Sequence, residues 1–388
     1  MENTPPKPDI PKLISMLKEM IERNPNIKPE LTRKKLYLLE KSDLPNKEPY
    51  LPVFFYIIFK KNIIVDDFVM NVLFHLRKAQ LYYSFPHVQR LETTATKYFC
   101  HLFKIPSISI QYLDKEEGKQ MGAIAVITQP NGAKTKFYLK THRKGRRREE
   151  FGSVIPKIID TRELFVYKVL EHSHFCPKVH YFAYDPQDFY IAVKDSAIDD
   201  ETGQERFICT YQDLSDHLKQ KNIDFDNFIE ADEDLLPPIL INELTYSYII
   251  SLILVISDTF TSFNNIIYIG TDIDHVNGFH IIDFYATTRV YEYDCSIFQA
   301  FLHGAGVDER TRYYFTKYML ISRDVRKKMA TVKEAFDPDL FHEAVERAYD
   351  EVKNCIFVNL NVLEQERSNA HQKCNDFWNE YLSFVNNL

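Results

Sequence analysis

Along the first hundred residues the apolar positions recur at intervals of three and four. In "IPKLISMLKEMIERN" Leu13, Ile14, Leu17, Met20 and Ile21 fall on one helical face. "VDDFVMNVLFHLRKAQLYY" repeats the pattern with Phe68, Val72, Leu73 and Leu76, and "TTATKYFCHLFK" predicts a further short helix opened by a threonine cap. Residues 10–105 are therefore expected to form a helical region behind a proline-rich, flexible start at 1–9.

The period then shortens to two. "SISIQYL" (107–113), "AIAVITQ" (123–129) and "KTKFYLK" (134–140) predict strands, the last two joined by "PNGA", an Asn-Gly turn. A helix in "DTRELFVYKVLEHSH" and two more strands, "KVHYFAYD" and "DFYIAVKD", follow. After Asp195 the pattern is mainly helical, in "TYQDLSDHLKQK", in "PILINELTYSYIISLILVISDTF" and beyond Asp294. One β interruption is expected there, a hairpin of "NNIIYIG" and "FHIIDFYA".

Composition narrows the chemistry. The net charge of −7 gives no global attraction to nucleic acid or anionic membrane, so any such attraction must be local. Glycine supplies only 10 of 388 residues, well below the usual share of about 7%. Few places remain where backbone can approach a phosphate closely. The six cysteines have no metal-site or CxxC spacing and read as reduced thiols. The opening "MENTPPKPDIPKL" lacks the basic and apolar regions of a signal peptide, and the apolar runs fall short of the roughly 20 residues a bilayer needs. The expectation is an intracellular chain without a transmembrane segment, cytoplasmic or nuclear.

The order of elements resembles the protein-kinase-like superfamily, in particular the aminoglycoside and choline kinases and divergent nematode kinase-like families. The resemblance runs from about residue 107 to the end of the chain. It implies an α+β, bilobal protein-kinase-like fold, with a five-stranded antiparallel small lobe at 106–196 and a mainly helical large lobe at 197–388. The 10–105 region would then be a helical N-terminal extension. In such a fold a lysine of the third strand touches nucleotide phosphates and pairs with a glutamate of the next helix. The resemblance puts Lys140 there, with Lys136 as the second choice, and Glu163 as the partner. Lys194 and Asp195 would lie in the hinge that offers backbone groups to adenine. "NNII" and "IIDFYA" resemble the segments that hold Mg²⁺, which implies Asn265 and Asp283 as metal positions, with Tyr285 in the usual glycine's place.

Two elements depart from the family pattern. The catalytic aspartate should lie five residues before the metal-holding asparagine, where Thr259 or Phe260 stands. Asp258 is the nearest carboxylate, and Ser257 precedes it instead of a basic residue. The glycine-rich loop is replaced by "DKEEGKQMG", whose carboxylates would repel a triphosphate. These departures favour a kinase-like pseudoenzyme that acts through protein partners and needs no cofactor. The alternative is an active phosphotransferase using ATP and Mg²⁺. A second alternative is a nucleic-acid-associated protein using the basic loop Arg143, Lys144, Arg146, Arg147 and Arg148, which could also bind another anion.

Overall fold

The computed structural model of the protein describes residues 6–24, single positions between 34 and 58, and residues 63–104, 109–114, 122–130, 132–141, 160–185, 188–198, 204–220, 238–257, 265–282, 284–286, 296–302 and 325–388. These residues make a mixed α+β structure with an antiparallel sheet of five strands and another of three. The chain divides into two compact units. One comprises residues 1–133, 139–157 and 182–190, and the other 134–138, 158–181 and 191–388.

The first unit begins with α1 (Ile10–Arg23). Asp9 caps it by accepting from the Lys12 amide at 3.0 Å, and its apolar stripe buries Leu13, Ile14, Met16, Leu17 and Met20. The stripe packs with Val69, Val72, Leu76 and Ala79 of α2 (Asp67–Leu102), and Leu36, Leu39, Leu51, Phe54 and Ile58 join the same core. Where the sequence predicts a separate helix opened by a threonine cap, the structure has one helix running through to Leu102. Thr93, Thr94 and Thr96 sit inside it and donate their hydroxyls to the carbonyls of Gln89, Arg90 and Glu92, four residues back. The threonines suggest a new helix start because a threonine hydroxyl ordinarily caps the first turn.

The five-stranded sheet takes the order β1 (Ser109–Asp114), β2 (Gly122–Thr128), β3 (Lys134–Thr141), β5 (Asp188–Lys194), β4 (Val179–Asp185). β1 and β2 pair antiparallel, with Ser109 opposite Thr128 and Asp114 opposite Ala123. Alternate residues of β2, Ala123, Ala125 and Ile127, are buried, as the period of two requires. The turn before β3 is closed by the Gln129 amide on the Ala133 carbonyl, and Gly132 takes the positive φ of +83° that a tight turn demands. β1 and α2 are tied together by the Tyr112 hydroxyl, 2.9 Å from the Glu92 carbonyl and 2.8 Å from the Thr96 hydroxyl.

In the second unit α3 (Thr161–His172) is followed, after β4 and β5, by β6 (Phe207–Thr210) and α4 (Tyr211–Gln220). Thr210 and Asp213 make a reciprocal cap at the start of α4. α5 (Pro238–Ile253) is apolar on nearly every side and correspondingly buried. It ends earlier than its apolar run suggests, because Val255 turns into the left-handed region at φ +51° and β7 (Ile256–Ser257) begins. The expected hairpin is present as β8 (Ile266–Gly270) and β9 (Val276–Ile281), pairing Ile266 with Ile281.

The single β interruption expected after Asp195 is corrected. β6 pairs antiparallel with β8, and β7 pairs with β10 (Tyr285–Ala286). Four- and two-residue strands are too short for periodicity to reveal. α6 (Ile297–Leu302), α7 (Val325–Ala335), α8 (Pro338–Val352) and α9 (Leu360–Asn386) complete the chain. Their core is aromatic: Phe298, Phe301, Phe336 and Phe377 meet edge-on with ring centroids 5.6–5.8 Å apart.

Candidate functional site

Alternation along β3 sends Phe137 and Leu139 to a buried face, so Lys136, Tyr138 and Lys140 share the other. Lys136, the second choice from the sequence, has a defined anchorage. Its Nζ lies 3.1 Å from the Asp195 carboxylate and donates to the Tyr138 hydroxyl at 2.8 Å. Burial works to lower the Lys136 pKa, but Tyr138 and Asp195 outweigh it and hold the ammonium above its ordinary value. The pair is registered by backbone as well, since the Asp195 amide donates to the Lys136 carbonyl at 2.9 Å. Lys140 is 8% exposed and belongs to the first unit, whereas Glu163 stands half-buried in the first turn of α3, in the second.

The segment after β5 is closed upon itself. The Ala197 amide donates to Asp195 Oδ1 at 3.2 Å, Arg206 Nε donates to the Ser196 carbonyl at 2.7 Å, and the Arg206 amide donates to the Ala197 carbonyl at 2.9 Å. Ser196 Oγ and His280 Nδ1 share a buried hydrogen bond of 2.9 Å, which joins this segment to β9. Lys194 is half-buried, and its amide continues the sheet by donating to the Lys178 carbonyl at 2.9 Å. Adenine recognition by a hinge needs a backbone donor and an acceptor facing the ligand. Here the amides of Asp195 and Ala197 and the carbonyls of Ser196 and Ala197 have partners within the chain.

The residues flanking position 283 are held on three sides. Asn265, half-buried at the entrance to β8, accepts from the Ile282 amide at 2.9 Å. The Ile281 amide donates to the Phe175 carbonyl at 2.7 Å, and the Phe175 and Phe279 rings stack at 5.5 Å. Phe284, 6% exposed, packs its ring 4.3 Å from that of Tyr167, which lies one helical turn beyond Glu163 on α3. The sequence marks Phe284 as a neighbour of Asp283 but gives Tyr167 no special status. The spacing of four from Glu163 is the signal that could have found it.

Asp258, Asp283 and the basic loop Arg143, Lys144, Arg146, Arg147 and Arg148 lie outside the described residues. Among the described residues no group of three or more histidine, cysteine, aspartate or glutamate side chains is placed to hold a metal ion. Nor is any helix among them long and apolar enough to cross a membrane. Cys176, Cys209 and Cys374 are buried, and burial pushes Cys374 up to about 12 and Cys209 up to about 11. No protein-family model and no curated protein matches this chain, so the reading of its function rests on the geometry set out above.

Proposed function

We propose that the protein is a bilobal, kinase-like pseudoenzyme that works through contacts with protein partners and not through phosphoryl transfer. The observation that carries this reading is the closed segment after β5. Its Asp195 carboxylate is engaged by Lys136 and Ala197, and its carbonyls by Arg206. The kinase-like part draws support from the sheet order β1-β2-β3-β5-β4 with α3 following β3, and from the β8–β9 hairpin that separates Asn265 from position 283. It draws further support from Phe284 against α3, because packing of the phenylalanine beside the metal-holding aspartate distinguishes active from inactive kinases. The interaction part draws support from α2, where Met70 and Phe74 stand exposed one turn apart, just beyond the exposed Ile64 and Val65.

A thermal-shift series with millimolar ATP, with and without Mg²⁺, tests the proposal. A ligand that binds the folded state alone raises the melting temperature by mass action. The expected result is no shift. A Mg²⁺-dependent rise that Asp283→Asn abolishes would establish the active phosphotransferase instead.

A further inference from the structure

α3 is anchored in an unusual way. Nine of its twelve residues are buried, and these include two cations, Arg162 and Lys168. Their charges are met in part from the end of the chain. Lys168 Nζ lies 2.9 Å from Glu351 Oε2 on α8, and Arg162 Nε lies 3.6 Å from Glu366 Oε2 on α9. His172 Nε2 is 3.0 Å from Glu351 Oε1, an electrostatic contact without hydrogen-bond geometry. The Asn359 amide, at the start of α9, donates to the Thr161 hydroxyl at 3.1 Å. These ties hold both ends of α3, and all come from α8, α9 and the turn between them.

Glu351 is the hub. Its side chain is 46% exposed, while those of the two groups it contacts are only 9% and 7% exposed. The remaining bonds of Lys168, to Glu171 and to the Val179 carbonyl, both 2.6 Å, come from its own neighbourhood. On its other side α3 carries Tyr167 against Phe284, and Arg162 Nη2 donates to the Leu254 and Val255 carbonyls that end α5. Val255 is β-branched and left-handed, a costly conformation that the buried guanidinium helps to hold.

We infer that α8 and α9 form a strap whose Glu351 latch sets the position of α3 and, through Tyr167, of the segment around Phe284. Close packing alone would hold a helix against its neighbours. What singles out a latch is that one solvent-reachable carboxylate touches two buried side chains from another element, so its loss leaves Lys168 with Glu171 as its remaining carboxylate partner. Glu351 is held down to about 2 by the His172 contact and by Lys168, so its carboxylate stays ionised at neutral pH. The turn joining the two helices contains a second strained residue, Phe357 at φ +67°, so the strap closes against a local cost. The inference is independent of nucleotide binding.

Hydrogen exchange on the full chain tests it. Glu351→Gln should speed exchange at least about tenfold in residues 165–172 and 281–286, while 10–23 keeps its rate. An increase confined to 351–358, or one spread equally over 10–23, would overturn the inference. Phe357→Gly, which removes the left-handed strain, should slow exchange in 161–172. Unchanged exchange there would count against the strap in the same way.

Discussion

Replacing Glu243 with glutamine should stabilise the protein, and increasingly so as pH rises. Glu243 lies on α5 with its carboxylate over β9, so close that a Cβ added at Gly278 would meet Oε2 at 3.2 Å. Among the described residues it has no hydrogen-bond or ion-pair partner, and burial raises its pKa from 4.5 to about 7. The folded state therefore holds a proton that the unfolded chain has lost between those two values. Stability is complete below pH 4.5 and falls as pH rises through about 7. Converted in full, the shift corresponds to roughly 3 kcal/mol. Because the side chain keeps some contact with water, about 1–2 kcal/mol is the expected gain for Glu243→Gln at pH 8, shrinking to nearly nothing at pH 4.5. Urea denaturation followed by the fluorescence of Trp378, the only tryptophan, reads the difference at each pH. A difference that stays flat with pH, or a variant weaker than the native protein at pH 8, would refute burial as the controlling cause.

Two further outcomes follow from the same geometry. Gly270→Ala should cost several kcal/mol and lower the melting temperature sharply, because its Cβ would stand 2.2 Å from the His275 carbonyl oxygen, which no side-chain movement relieves. Lys136→Met should destabilise by about 1–3 kcal/mol by leaving the Asp195 charge buried, and adding Asp195→Asn should recover part of that loss. A double-mutant cycle with a coupling energy of zero would show that the two side chains act separately.

The sequence determined the local elements because their cause is local. A period of 3.6 or of two decides which face of a helix or strand is apolar, and so α1, β2, β3 and the Asn-Gly turn were legible. The β8–β9 hairpin was legible for the same reason. α2 was not, because a run of threonines argues locally for a new helix start, while burial of Leu91, Ala95 and Phe99 favours continuation. Tertiary structure decided the long-range charge pairs, whereas Lys168 with Glu171 follows the helical spacing of three. Lys136 took Asp195, far along the chain, and Lys168 took Glu351, farther still. No spacing rule reaches those distances, since a buried charge is satisfied by whichever opposite group the packed core brings beside it.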